Sequence, residues 1–175
     1  EASELLVGYS TLQQSVAHER IEIVANLALS LNDQLGEAYL SLAMLHSNYG
    51  RDAEAEQAFQ KAIELSPGYA TAYQWYANFL DRFPGRMREA LALSVKAREL
   101  DPMSSIVRLN NIDKLQALGR FEETESELNN LLELDPGFAG AYTVMADVMS
   151  ETGRFDEAAL WRLKSIDRDP GRIYS

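Results

Sequence analysis

The chain has 175 residues, 46% of them hydrophobic and 25% charged, a globular balance that argues against disorder. Its 27 acidic residues against 16 basic ones give a formal net charge of −11, which repels phosphate backbones and argues against nucleic-acid binding by this segment. With no cysteine, and with only His18 and His46 as histidines, disulfides, thiol catalysis and Cys-type or His-rich metal sites drop out, while cytoplasm and periplasm both stay open. No apolar run approaches the roughly 18 residues that a membrane span needs. Beginning at Glu1 with neither methionine nor a signal-type apolar core, the sequence reads as an excised or processed chain.

Two independent marks repeat along the chain. Ser66-Pro67, Asp101-Pro102, Asp135-Pro136 and Asp169-Pro170 are spaced 35, 34 and 34 residues apart. Gly50-Arg51, Gly85-Arg86, Gly119-Arg120 and Gly153-Arg154 show the same spacings of 35, 34 and 34. Between the marks, segments such as Asp52–Leu65 and Phe121–Leu134 place apolar residues at i, i+3, i+4 and i+7, the pattern of an amphipathic helix. Glycine-arginine separates one helix from the next. Proline ends the second helix, because it drives its predecessor out of the α region. Each period is therefore predicted to be an αα-hairpin of about 34 residues.

Taken in chain order, the periods are residues 2–35, 36–69, 70–104, 105–138 and 139–172, forming a single array over residues 1–175. The first has Asp33 in place of the proline and rests on Leu5, Ala28 and the spacing. The second carries Tyr39, Leu42 and Ala43 on its first helix, Ala55, Phe59 and Ala62 on its second, and then Pro67. The third has one extra residue, placed near Phe83-Pro84-Gly85 in its inter-helix turn. The fourth puts Arg108 and Asn111 where large apolar residues normally sit, and an unpartnered buried polar group costs about 1–3 kcal/mol. This repeat is expected to be the least regular. The fifth has Arg162 and Ser165 at positions that are apolar elsewhere, which suits a solvated terminal face, so the array is expected to end near Ser175.

The residues of the second repeat fall at repeat positions 4, 7, 8, 20, 24, 27 and 32, and on them the chain resembles the tetratricopeptide repeat (TPR) family. The departures are Ala43 where glycine is usual and His46 where tyrosine is usual. The resemblance implies an all-α fold: a right-handed superhelical solenoid of five TPR hairpins, about ten helices. Small residues at positions 8, 20 and 27, as in Ala43/Ala55/Ala62 and Ala77/Ala90/Ala97, are expected where paired helices approach most closely. A narrower resemblance, carried by Tyr69–Ala77 and Ala97–Ile106, is to the TPR regions that follow winged-helix or nucleotide-cyclase domains in bacterial proteins. It implies a sensory or dimerisation region as the alternative role.

No catalytic constellation accompanies the repeats. There is no G-x-S-x-G elbow, no phosphate-binding loop and no dinucleotide fingerprint, so neither an enzyme nor a cofactor is expected. The acidic run Glu122, Glu123, Glu125 and Glu127 faces several directions on a helix and reads as solvated surface, not as a metal site.

The resemblance instead implies a peptide-binding groove lined by the first helix of each repeat. At those positions stand Leu6, Ser10 and Gln13 in the first repeat, and Leu40, Met44 and Ser47 in the second. The third offers Gln74, Asn78 and Asp81, the fourth Leu109 and Asp113, and the fifth Thr143 and Asp147. Over the full set of groove positions, Glu37, Asp81, Asp113, Asp147 and Glu151 stand against Arg82 alone. A clamp for an acidic C-terminal tail needs at least two cations and is therefore rejected. A neutral or basic protein or peptide is the expected partner. An exposed end carrying Trp161 and Ile166 is a possible self-association surface.

Overall fold

The computed structural model describes residues 2–168, with side chains for residue 16 and for 18–168. Among these residues the chain is all-α, with nine helices and no strand: α1 Ala2–Leu31, α2 Gly36–Asn48, α3 Asp52–Leu65, α4 Ala70–Leu80, α5 Met87–Leu100, α6 Ser105–Ala117, α7 Phe121–Leu134, α8 Ala139–Glu151 and α9 Phe155–Arg168. The chain divides into two compact units, Glu1–Tyr76 and Ala77–Ser175, each of which is described by itself.

The hairpin turns depend on backbone geometry that glycine alone adopts freely. Gly50, Gly85, Gly119 and Gly153 take φ of 69°, 86°, 70° and 78°, the left-handed region in which a Cβ crowds the following carbonyl. At three of these turns the arginine after the glycine donates its N–H back across the end of the preceding helix. Arg51 reaches His46 O at 2.9 Å, Arg120 reaches Leu115 O at 3.0 Å and Arg154 reaches Met149 O at 2.8 Å, closing Schellman-type caps. The same arginines start the next helix. The Arg120 and Arg154 guanidinium groups pair with Glu123 and Glu157 three residues on. At the other hairpin ends, Ser66, Asp101 and Asp135 sit at φ near −130° before their prolines, as the pre-proline restriction requires.

The first repeat departs from the predicted hairpin. Where the other repeats have the turn glycine it has Val16, a β-branched residue to which the left-handed region is closed. Nothing in Ser15-Val16-Ala17-His18 breaks a helix, and α1 runs unbroken from Ala2 to Leu31.

The residues at the predicted helix-pair positions are buried in repeats two to five. In the first unit Ala43, Ala55 and Ala62 are completely buried. Phe59 stacks on Tyr76 with 5.4 Å between ring centroids, and the Tyr76 hydroxyl donates to Glu56 Oε1 at 2.9 Å. The start of α2 comes so close to the end of α3 that a Cβ on Gly36 would lie 2.9 Å from the Ala62 carbonyl oxygen. In the second unit Ala77, Ala90 and Ala97, then Ile112, Thr124 and Leu131, then Ala146, Ala158 and Ser165, are all buried. A single apolar cluster joins Ile112 of α6, Leu128 and Leu131 of α7, Ala141, Met145, Val148 and Met149 of α8, and Ala158 of α9.

The expected polar weakness of the fourth repeat is compensated. Asn111 is buried, but its Nδ2 donates to Ser94 Oγ of α5 at 2.9 Å, and Ser94 Oγ donates to Leu91 O at 2.9 Å. Arg108 Nε donates to Pro102 O at 2.7 Å. Ser94 stands at the repeat position that Phe59 and Leu128 fill elsewhere, so one polar substitution answers the other across two repeats. Ser94→Ala therefore strands the Asn111 amide. In urea unfolding it is expected to cost about 1–3 kcal/mol, and adding Asn111→Leu is expected to recover most of the loss.

Candidate functional site

In the second unit the first-helix positions of successive repeats lie beside one another. Lys114, near the end of α6, is almost completely enclosed, and its Nζ sits 2.6 Å from Asp81 Oδ2. The same ammonium donates to Asn78 Oδ1 at 2.7 Å. One repeat onward, Gln116 Nε2 of α6 donates to Glu151 Oε1 of α8 at 3.0 Å. At the opposite end of these helices the Leu109 side chain fills the space over Gly140, where a Cβ would lie 3.0 Å from Leu109 Cδ2. The predicted positions Asn78, Asp81, Leu109 and Asp113 thus meet around α6, and the apolar part of the surface is continuous with the core through Leu109.

Further along, Asp147 Oδ1 accepts from Arg162 Nη2 at 2.7 Å across α8 and α9. The hydroxyls of Thr143 and Ser165 lie 2.9 Å apart. These contacts change the reading of the terminal repeat. Ser165 is buried and bonded, so it is not solvated capping surface, whereas Arg162 is exposed and pairs with Asp147. In the first unit Leu40 is buried, while Met44, Ser47 and Gln74 are half-buried. Leu6, Ser10 and Gln13 belong to α1, and their side chains lie outside the described residues.

The electrostatics are less acidic than a count of predicted positions implies. Lys114 stands at a position outside that set, yet it supplies a cation to the middle of the surface, and Arg162 supplies another beside Asp147. Asp113 is pushed above the ordinary carboxylate range, chiefly by burial; Lys114 opposes the shift and Asp81 reinforces it. The second carboxylate oxygen of Asp81, Oδ1, is enclosed without a hydrogen-bond partner. Of the two histidines, His18 lies edge-on to Tyr49 at 5.4 Å and His46 is half-buried within α2. Among the described residues no three His, Asp or Glu side chains converge as a metal site, and no helix is long and apolar enough to cross a membrane.

A tetratricopeptide-repeat family model matches residues 36–79. Solved TPR structures share the fold over nearly the whole chain. The crystal structure of MamA superposes with a TM-score of 0.76 at 15% identity, covering 93% of this chain and 95% of that one. YrrB, described as a TPR protein with an unusual peptide-binding site, superposes with a TM-score of 0.72 at 21% identity, covering 94% and 84%. Residues 36–79 thus match a tetratricopeptide repeat, and the chain shares the fold of these solved structures. Among curated sequences, the human (Homo sapiens) protein O-mannosyl-transferase TMTC1 is 29% identical over 138 residues, 75% of this chain. The chain spans 14% of that relative's length. The TPR register accounts for Ala43, Ala55 and Ala62, but it does not point to Lys114. The nearest sequence signal is that Lys114 follows Asp113 directly and stands one repeat beyond Asn78 and Asp81.

Two outcomes follow for this surface. Lys114→Met leaves Asp81 largely buried without its counter-charge, and the expected cost in urea unfolding is on the order of 2–4 kcal/mol; the double variant Lys114→Met/Asp81→Leu is expected to recover most of it. For Asp113 the folded-state pKa lies above the unfolded one, so ionisation works against folding. That penalty is absent below the unfolded value, near pH 4, and complete once pH exceeds the folded value. Asp113→Asn is therefore expected to raise Tm at pH 7, with the gain fading as pH falls through the folded-state value and gone near pH 4.

Proposed function

We propose that the chain is a non-catalytic protein-interaction scaffold that binds a peptide or protein segment along the first-helix faces of its repeats. The observation that carries this reading is the juxtaposition around α6. Leu109 offers an apolar seat beside Gly140 near the start of α6, and amide and carboxylate groups from Asn78, Asp81, Asp113, Gln116 and Glu151 lie toward its end. Such a surface suits an extended chain, whose backbone N–H and C=O groups pair with amides and carboxylates while alternate side chains reach apolar ground. The peptide-binding description of YrrB, a structure of the same fold, supports the choice of ligand class. Met44, Ser47 and Gln74 are the proposed contacts in the first unit, and Asn78, Asp81, Leu109, Asp113, Thr143 and Asp147 those in the second.

The ligand is proposed to be neutral or basic, a preference moderated by Lys114 and Arg162. Asp113→Lys/Asp147→Lys reverses charge on the first-helix face. Glu122→Lys/Glu133→Lys makes the same change on exposed positions of α7, a second helix. Peptides selected by display on the wild-type chain are expected to lose at least about tenfold in affinity for the first variant, roughly 1.4 kcal/mol, and to bind the second unchanged. Equal loss in both variants, or loss in the second alone, contradicts the assignment.

A further inference from the structure

The first unit contains an open apolar cleft of about 470 Å³ between α1 and α2, lined by Ile21, Val24, Ala25, Ala28, Leu35 and Ala38 with Arg20, Glu37 and Ser41 at its edges. The second unit shows what a cleft of this kind holds. Adding 103 to each residue number carries the lining onto α7 and α8: Ala25 becomes Leu128, Ala28 becomes Leu131, Leu35 becomes Phe138 and Ala38 becomes Ala141. There α6 packs against both α7 and α8, and Ile112 and Leu109 of α6 join Leu128, Leu131, Phe138 and Ala141 in one cluster. The contrast in burial is direct. Thr124 is 0% exposed beneath α6, whereas its counterpart Ile21 is 42% exposed and neighbouring Val24 is 64% exposed. The cleft in the first unit therefore has the lining of a helix-binding seat.

The sequence contains a matching helix. Leu5, Leu6, Tyr9 and Leu12 stand at the repeat positions of Arg108, Leu109, Ile112 and Leu115 of α6, and residues 2–15 equal that helix in length to within a residue. In their own chain these residues cannot reach the seat. Val16 occupies the turn-glycine position and α1 continues unbroken, so at 1.5 Å per residue the backbone of Tyr9 lies about 28 Å along the helix from that of Ala28. We propose that the seat is filled by residues 2–15 of a second copy of this chain, so that two copies exchange the first halves of their α1 helices in a reciprocal, two-fold dimer. Exchange of an identical element needs no new surface, and the continuous helix removes the turn that would let each copy close on itself. The residues exchanged carry a single charge, Glu4, which suits an apolar cleft.

Because the chain has no native cysteine, the exchange can be read by disulfide trapping. Tyr9→Cys and Ala28→Cys are made as separate variants of the whole chain; their counterparts Ile112 and Leu131 share the packed cluster around α6. The two are checked for wild-type helicity and thermal unfolding, mixed, partly unfolded and refolded, and oxidised. The expected product is a linked pair containing one of each variant, together with a wild-type chain that runs at twice its monomer mass in light scattering. Val16→Gly/Ala17→Arg restores the Gly-Arg turn of the other repeats and is expected to give a monomer. A monomeric wild-type chain overturns the proposal. So does a dimer whose mixed variants fail to link, and so does an intrachain disulfide in the doubly substituted chain at the expense of the interchain one.

Discussion

The architecture depends on a backbone feature that recurs about every 34 residues: at the turn inside each of repeats two to five, one residue adopts positive φ. Gly50, Gly85, Gly119 and Gly153 supply it, and each is followed by an arginine that begins the next helix. Once the turn is made, the two helices of a repeat lie close enough that only small or well-fitted side chains suit positions such as Ala43, Ala55 and Ala62. Packing there is tight because the turn is tight, and a lost methylene or an added one is felt directly in such a seam. Where that feature is absent, at Val16, the chain does not compromise on a strained turn; the helix simply continues.

Polar groups inside the second unit follow a related logic of pairing across repeats. Asn111 and Ser94 each occupy a position that carries a large apolar residue elsewhere, and each would be costly alone. Lys114 likewise resolves a crowd of acceptors, bonding Asn78 and Asp81 with one ammonium. Buried pairs of this kind add little net stability compared with an apolar core, but they penalise any arrangement that separates the partners. Toward the end of α6 they also fix the orientation of Asn78 and Asp81. The surface proposed to receive a ligand is thus held by the same contacts that align repeats three and four.

Much of this was legible in the sequence. The predicted helices Asp52–Leu65 and Phe121–Leu134 coincide with α3 and α7, because proline and glycine mark their ends unambiguously. Burial at Ala77, Ala90 and Ala97 followed from residue size at a fixed register. The first repeat was misjudged because spacing was extended past the glycine mark that gives the spacing its meaning; Val16 was the available signal. Lys114 was missed for a different reason. A long side chain reaches beyond its own register position, so its Nζ acts where Asn78 and Asp81 stand, a displacement that a list of positions does not convey. The Asn111–Ser94 pair required knowing which helices of neighbouring repeats touch, and residue type alone shows only two anomalies.

The central claim is that left-handed backbone geometry at one position decides between hairpin and continuous helix. Pulsed electron-spin distance measurement between labels at residues 9 and 28 of one chain, diluted into excess unlabelled chain, tests it most directly. A continuous helix places the labelled backbones about 28 Å apart, 19 residues at 1.5 Å each. A paired hairpin places them within about 10 Å, the usual spacing of packed helices. The account predicts the long distance for the wild-type chain and the short one after Val16→Gly/Ala17→Arg. A short distance in the wild-type chain would show that the turn forms without glycine and would contradict the account at its root.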